Sequence, residues 1–386
     1  MENFDDIRPY QDSEVPDVIK SLLEDEQFSK AIIDKRLPKL FKKLPTLALL
    51  LVKKTLKKKI KKITKVTEVQ EIASNYLKKA IKTSTDGLTV SGLHQLSKEH
   101  SHLFMSNHRD IAMDPAFISY LLMEDSKRKL EIAIGDNLLK KEFVSKLMRL
   151  NRSFIVKRSA QGREKLLAFN KLSEYIHHRL KGGINIWIAQ REGRAKDGID
   201  KTDPTILKML HMSERAGEAP LTIGNAILEL KIIPVSISYE FDPCDALKAQ
   251  ELYIKENDGE FEKDDNSDII SIAKGLNGYK GKVHISFGNI VEPESDDASL
   301  IAEQIDKQIY QNYHLHPSNF LAYELLHQQD PTIGPSLESI TMKIPISKEK
   351  RSEFELRYHT MEEHHKPYFI KMYANPVLNK IKSDFT

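Results

Sequence analysis

Cysteine is almost absent from this sequence: Cys244 is the only one in 386 residues, so no intrachain disulfide is possible. Long apolar runs are absent too. The longest, LALLLV at 47–52, falls far below the roughly 18 residues that a membrane-spanning helix needs. The opening MENFDDIRPYQDSEVPD is acidic and shows neither a signal peptide nor a transit peptide. These absences argue against a secreted or membrane-spanning protein and predict a cytoplasmic one.

Two common catalytic signatures are also missing. There is no Gly-x-Ser-x-Gly motif of the kind that positions a nucleophilic serine. The clustered histidines lack the His-Glu-x-x-His spacing of zinc enzymes, and no cysteines accompany them. These histidines are His177, His178, His314, His316 and the pair in EEHH at 362–365. The sequence therefore predicts neither a serine hydrolase nor a zinc enzyme.

Acidic residues are missing from one stretch near the start. Residues 35–65 hold 13 Lys or Arg and no Asp or Glu, whereas the rest of the chain holds 46 basic and 56 acidic residues. Around this stretch LPKLFKKLPTLALLLVKKTLKKKIKKITKV has apolar residues at helical spacing, with Pro38 and Pro45 at the breaks. We expect two basic amphipathic helices that bind an anionic membrane surface. The alternative is a helical hairpin packed on the main domain. Nucleic-acid binding is not expected, because Phe41 is the only aromatic residue among the lysines.

From about residue 86 short apolar runs alternate with longer helical stretches. This alternation predicts an α/β fold with a mixed, mostly parallel sheet flanked by helices. The predicted strands are 102–106, 131–134, 154–157, 184–189, 231–238 and 282–287, and the predicted helices are 115–124, 138–149, 161–181, 204–213 and 298–312. The polar stretch 242–280 is predicted to be a surface insertion. The expected domains are a basic helical segment at 1–85, an α/β domain at 86–320 and a helical extension at 321–386.

The stretch MSNHRDIAMDP at 105–115 places a histidine between a strand and a helix. Asp114 and Pro115 are favoured as the N-cap and the first residue of that helix. His108 is then expected in a loop at the sheet edge, where open α/β sheets hold their active sites. An imidazole there can take a proton from a hydroxyl if a carboxylate holds its other ring nitrogen. Asp114 is the expected carboxylate and Asp110 the alternative.

Basic clusters follow two further predicted strands. SFIVKRSAQGR ends a strand with Lys157 and Arg158, and GGINIWIAQREGRAKDG ends one with Glu192, Gly193 and Arg194. Arg can grip a phosphate with two parallel hydrogen bonds, and Lys can bind it as a point charge. The two clusters therefore predict a substrate that carries a phosphate.

Four blocks, in this order, resemble those of the glycerophosphate acyltransferases, which comprise the glycerol-3-phosphate and 1-acylglycerol-3-phosphate acyltransferases. They are VSGLHQLSKEHSHLFMSNHRD, AIGDNLL with FIVKR, REGRAKDG, and IIPVSISY, and they span about residues 86–240. The chain departs from the family pattern in two places. Five residues rather than four separate His108 from Asp114, and AQREGR stands where the family usually has Phe-Pro before Glu-Gly.

The resemblance implies a membrane-associated transferase of phospholipid biosynthesis and lipid metabolism. Such an enzyme moves a fatty acyl group from an acyl carrier protein or coenzyme A thioester to a glycerophosphate hydroxyl. By position, His108 would be the general base and Asp114 would orient it. Substrate phosphate and acceptor binding would fall to Lys157, Arg158, Glu192, Gly193 and Arg194. No metal or cofactor is implied, because a thioester is already activated.

Two questions about function stay open in the sequence. The acceptor is expected to be 1-acyl-sn-glycerol-3-phosphate, with glycerol-3-phosphate as the alternative and other acyl acceptors, such as an amino-lipid, left open. An alternative of another class is a catalytically inactive adaptor on the same fold, disabled by the longer His–Asp spacing and retained for membrane or nucleic-acid binding. For the enzyme we expect a peripheral position on the inner face of the membrane.

Overall fold

The computed structural model describes residues 4–36, 44–215, 219–262, 267–337 and 345–385. They fall into two compact units: the small unit, Met1–Tyr76 with Glu131–Lys171, and the large unit, Leu77–Leu130 with Leu172–Thr386. The strands are β1 (Leu88–Ser91), β2 (Leu103–Ser106), β3 (Leu130–Gly135), β4 (Ser153–Val156), β5 (Asn185–Ala189), β6 (Ile232–Tyr239) and β7 (Val283–Phe287). The helices up to β5 are α1 (Val15–Glu24), α2 (Glu26–Arg36), α3 (Pro45–Ile60), α4 (Val66–Ser84), α5 (Met113–Ser126), α6 (Glu142–Leu150) and α7 (Gly162–Lys181). The later helices are α8 (Pro204–His211), α9 (Ile223–Leu230), α10 (Asp245–Asn257), α11 (Ser267–Asn277), α12 (Ala298–Asn312), α13 (Pro317–Gln329), α14 (Lys348–His359) and α15 (Lys366–Phe385).

The small unit packs helices around a core of its own. In α1 the residues Val15, Ile19 and Leu22 recur at helical spacing and are buried. They belong to one apolar cluster with Ile63 and Val66 and with residues of α6. The strands β3 and β4 of this unit pair in parallel, as expected for strands joined through a helix.

The large unit contains five strands in the order β1-β7-β6-β2-β5. The central strand β2 pairs in parallel with both β5 and β6, and β1 pairs in parallel with β7. The pairing of β6 with β7 is antiparallel. All eight residues of β6 are buried, which is typical of a strand covered on both faces. The predicted α/β fold with a mixed, mostly parallel sheet is therefore confirmed.

The six predicted strands lie within one residue of the observed ones at each end. The elements that were not predicted include the short, mostly exposed strand β1 and the helix α9. The prediction of a surface insertion at 242–280 is wrong. This stretch forms α10 and α11, and several of its polar residues are buried because they pair with one another and with the chain around them: Asp242, Asp245, Lys248 and Glu251.

Helices were predicted near both ends of the chain, and the structure describes those near the N-terminus only in part. The first predicted amphipathic helix falls mostly on 37–43, outside the described residues, and the second corresponds to α3. The predicted C-terminal helical region is present as α13, α14 and α15, which share a buried apolar cluster that includes Phe320, Phe354 and Phe369. Across the described residues, every helix is too short or too polar to cross a membrane.

Candidate active site

The loop that carries the predicted histidine is anchored to the sheet by Asn107. This side chain continues the pairing of β2 with β6: it donates to the carbonyl of Ile237 at 3.0 Å and accepts from the Ile237 amide at 2.7 Å. It also donates to Asp200 at 3.0 Å. Asn107 is fully buried. The chain therefore leaves β2 in a fixed direction, with His108 just beyond the carboxyl end of the strand.

His108 and Asp114 are in direct contact. Nδ1 of His108 lies 2.8 Å from Oδ2 of Asp114. The same oxygen accepts the backbone N–H groups of Arg109, at 2.6 Å, and Asp110, at 2.9 Å. The loop is thus wrapped around the carboxylate, and the extra residue between His108 and Asp114 does not separate them. The hydrogen bond to Asp114 assigns the proton to Nδ1 and leaves the lone pair on Nε2.

The start of α5 differs from the predicted one. The helix begins at Met113 with Ala112 as its N-cap, so Asp114 lies inside the first turn and not at the cap. Asp110 satisfies the helix start instead, since its Oδ1 accepts the amides of Ala112 and Met113 at 2.9 Å each. Burial and the nearby charge of Asp114 raise the pKa of Asp110. Asp114 is therefore the carboxylate that contacts the imidazole, and Asp110 holds the loop.

The second oxygen of Asp114 is held by a residue from another strand. The hydroxyl of Tyr239, the last residue of β6, donates to Oδ1 at 2.6 Å. Burial, followed by the charges of Asp114 and Asp110, raises the pKa of Tyr239 well above its usual value, so the phenol keeps its proton. Asp114 itself is fully buried, and its four donors come from an imidazole, two amides and this phenol. We therefore expect Tyr239 to position this carboxylate, a role that the sequence did not predict.

Replacing Tyr239 with phenylalanine should lower kcat roughly 10-fold and leave KM nearly unchanged. The change removes one hydrogen bond to a buried charge, which is worth about 1.5–3 kcal/mol, and frees Asp114 to rotate. Steady-state kinetics of the acyl transfer that the resemblance implies would measure kcat and KM separately. The matched control is Tyr323→Phe, whose hydroxyl donates to the carbonyl of Pro335 in the C-terminal helical region. An equal loss of kcat in both variants would contradict a positioning role for Tyr239.

A buried ion pair holds the loop that carries His108. Nη2 of Arg109 lies 2.5 Å from Oδ2 of Asp200, and the guanidinium lies 5.6 Å from the ring centre of Tyr313. Removing one member of such a pair leaves a buried charge without compensation, so both residues are needed to keep this loop in place.

Asp306, on α12, provides a pH-dependent prediction. Its Oδ1 accepts from the amide and hydroxyl of Thr202, and burial raises its pKa to about 7 from an ordinary 3.8. The folded state therefore holds a proton that the unfolded chain releases between pH 4 and 7, so this group lowers stability progressively as pH rises through that window. Asp306→Asn keeps the acceptor without the charge. We expect the variant to be more stable than the wild type by about 1–3 kcal/mol at pH 8, and by much less at pH 4.

Urea unfolding at the two pH values would measure this difference. The matched control is Asp297→Asn, an exposed N-cap of the same helix, because asparagine caps as well as aspartate. A gap between Asp306→Asn and the wild type that stays constant from pH 4 to 8 would contradict the expectation.

The loop after β5 lies at the same sheet edge as His108, because β2 and β5 pair in parallel with Ser106 opposite Ala189. Glu192 and Gly193 are exposed in this loop, and Gly193 has a φ of 74°, which favours glycine. Arg194 is half-buried and donates to the hydroxyl of Ser271 at 3.3 Å. The structure thus brings the Glu-Gly-Arg stretch to the edge that holds the His–Asp pair.

Lys248 connects these two loops. Its ammonium group donates to the carbonyl of Arg109 at 2.8 Å and to that of Ala195 at 3.4 Å, and it pairs with Asp242. The amide of Ala195 also donates to the carbonyl of His108 at 2.9 Å. Lys248 is only 2 % exposed. Sequence reasoning missed it because it lies in the stretch predicted to be a surface insertion.

Lys157 and Arg158 follow β4 in the small unit. Nζ of Lys157 lies 2.6 Å from Asp6, which also pairs with Lys171 at 2.6 Å. The Arg158 amide donates to Asp136 at 3.1 Å. Both basic side chains are half-buried at the end of their strand. Their predicted role in phosphate binding stays a prediction.

A histidine held by a buried carboxylate at the carboxyl ends of the strands of an α/β sheet is an arrangement that can take a proton from a hydroxyl. Residues 87–238 match the family model described as Acyltransferase. The family resemblance is therefore confirmed, and these residues form an acyltransferase domain. No curated protein sequence matches the chain. Among solved structures, the 1-acyl-sn-glycerophosphate (LPA) acyltransferase PlsC from Thermotoga maritima is similar at 15 % identity and a TM-score of 0.34, covering 66 % of this chain and 80 % of that one.

Proposed function

We propose that this protein transfers a fatty acyl group from a thioester of acyl carrier protein or coenzyme A to the free hydroxyl of 1-acyl-sn-glycerol-3-phosphate. The observation that carries the proposal is the contact of His108 Nδ1 with the buried Asp114, within a domain of the acyltransferase family. The His108 side chain is 14 % exposed, so part of it remains accessible although Asp114 is fully buried.

The proposed reaction needs only proton transfers and one displacement. Nε2 of His108 takes the proton of the acceptor hydroxyl as its oxygen attacks the thioester carbonyl carbon. Asp114 stabilises the imidazolium that forms. The tetrahedral intermediate then collapses, the carbon–sulfur bond breaks, and the imidazolium returns the proton to the thiolate. The products are the ester and the free thiol, and no metal or redox cofactor enters any step.

Phosphate binding is proposed for Arg194, with Glu192 and Gly193 shaping the acceptor site. The bond from Arg194 to Ser271 is long at 3.3 Å, so a phosphate can replace it with a stronger charge-assisted bond. Lys157 is also proposed, since its pair with Asp6 is about 40 % exposed on both sides and such pairs contribute little. Arg158 follows it at the end of the same strand.

The test is thiol release from long-chain acyl-coenzyme A, followed with a thiol reagent and repeated with acyl carrier protein as donor. The acceptors are 1-acylglycerol-3-phosphate, glycerol-3-phosphate and, as a matched control, 1-acylglycerol without phosphate. Release that depends on the first acceptor and fails with the control supports the proposal. Release with glycerol-3-phosphate alone would reassign the acceptor. No release from either donor with any acceptor would favour the inactive adaptor.

Membrane docking through α3 is part of the proposal. Leu50 and Leu51 are 61 % and 44 % exposed on this helix, and Lys54, Lys57 and Lys58 are exposed as well. Apolar burial and roughly 1 kcal/mol per lysine near an anionic surface would hold the protein there. We expect flotation with vesicles that contain anionic phosphatidylglycerol and loss of flotation at about 1 M salt. Equal flotation with purely zwitterionic vesicles would contradict the electrostatic part.

A further inference from the structure

A buried histidine outside the active site has the hydrogen bonding of a metal ligand. His177 on α7 is only 4 % exposed, and its Nε2 lies 3.0 Å from the carbonyl of Leu210. A carbonyl can only accept, so Nε2 carries the proton and Nδ1 presents its lone pair. A backbone carbonyl that holds the second ring N–H is the usual support of a metal-binding histidine.

Two carboxylates face this lone pair. Oε1 of Glu214 lies 3.7 Å from Nδ1 of His177, too far for a direct hydrogen bond. The ligand atoms of His177, Glu214 and Glu229 all lie within 4.8 Å of one another. Ligands around a tetrahedral ion with bonds of about 2.1 Å stand about 3.4 Å apart. If the three ligand atoms moved slightly closer together, they would occupy three of the four coordination positions.

His177 and Glu229 border a cavity. It lies at the edge of the sheet opposite to the edge that holds His108. The cavity has a volume of about 290 Å³. Three other lining residues, Ser101, Gly183 and Lys231, lie just before β2, β5 and β6. They mark the amino ends of these parallel strands, whereas His108 follows the carboxyl end of β2. The cavity leaves room for a water molecule as the fourth ligand.

We propose that His177, Glu214 and Glu229 bind a divalent ion of the zinc class. One nitrogen and two carboxylate oxygens suit such an ion, and two carboxylates balance its charge. The ion would join α7, the turn after α8, and α9, and so has a structural role separate from acyl transfer. Lys181 Nζ lies 3.9 Å from Glu229, but Lys181 is 66 % exposed and can turn away into solvent.

The first measurement is calorimetric titration of Zn²⁺ into untagged, chelator-treated full-length protein, with thermal unfolding in parallel. We expect one Zn²⁺ per chain and an unfolding temperature several degrees higher with saturating Zn²⁺. Co²⁺ as a probe should give the strong visible absorption of a tetrahedral site. Glu229→Gln, at a 47 % exposed side chain, should weaken binding at least 10-fold and remove the thermal shift.

A second surface group provides the matched control. Glu362, His364 and His365 also place their ligand atoms within 4.8 Å, but Glu362 and His364 are exposed. His364→Ala should leave Zn²⁺ affinity unchanged. Loss of binding in His364→Ala, unchanged binding in both Glu229→Gln and Glu214→Gln, or no binding at about 100 μM Zn²⁺ would each overturn the proposal.

Discussion

Replacing His108 with alanine should lower kcat for acyl transfer roughly 10³- to 10⁴-fold. The variant loses the group that takes the hydroxyl proton, and a positioned general base contributes about 10²- to 10⁴-fold. Asp114→Asn should cost nearly as much, because an amide at Oδ2 would face the N–H groups of Arg109 and Asp110 and would no longer hold the imidazole in its tautomer. KM should change little in both variants, since neither group is proposed to bind the phosphate.

Asp110→Asn is the matched control for this prediction. The new side chain would keep an acceptor oxygen for the amides of Ala112 and Met113, and burial already disfavours the charged form of Asp110. We expect kcat within about 3-fold of the wild type. A loss in Asp110→Asn as large as that in Asp114→Asn would make Asp110 the orienting carboxylate. Activity that survives His108→Ala would contradict the base assignment.

Lys248→Met should destabilise the large unit by about 3–5 kcal/mol. The change leaves the buried carboxylate of Asp242 without its cation and two carbonyls, of Arg109 and Ala195, without their donor. The free energy of unfolding from urea titration would measure the loss. Activity should fall too, because the same ammonium group joins the loops of His108 and Arg194.

Lys255→Met, on the same helix, is the control for the lysine change. Lys255 is 48 % exposed and pairs with Glu251 at 2.9 Å, so its removal should cost less than about 1 kcal/mol. The double variant Asp242→Asn with Lys248→Met should be more stable than the sum of the single changes predicts, because both charges are gone. Destabilisation of Lys248→Met no larger than that of Lys255→Met would show that the buried contact is unimportant.

The fold could be predicted wherever the pattern of apolar residues alone indicates that a segment is buried. The runs that became β2, β5 and β6 are almost wholly apolar, and each is buried throughout. The strand β1 escaped prediction because three of its four residues are exposed and its partner, β7, is distant in the sequence. The stretch around α10 was misread because its buried charges compensate one another, and composition alone cannot distinguish paired charges from solvated ones.

In the candidate site too, some residues could be predicted from the local sequence and others could not. His108 and Asp114 are close in the sequence and their geometry is local, so the pair could be predicted. Tyr239 and Lys248 reach the site only through the pairing of β6 and the packing of α10. A signal for Tyr239 existed, since a tyrosine that ends a buried strand needs a partner for its hydroxyl. The group around His177 comes from three separate segments, so no spacing motif could reveal it.

The four donors around Asp114 also determine whether this carboxylate keeps its hydrogen bonds when water is excluded from the site. In the proposed reaction a long acyl chain would displace water from the site, and a carboxylate that relied on water for its hydrogen bonds would then lose them. Asp114 takes these four bonds from the protein itself: from an imidazole, two amides and a phenol. Removal of water by the acyl chain of the proposed substrate would therefore leave the hydrogen bonds of Asp114 intact and strengthen its attraction to the imidazolium.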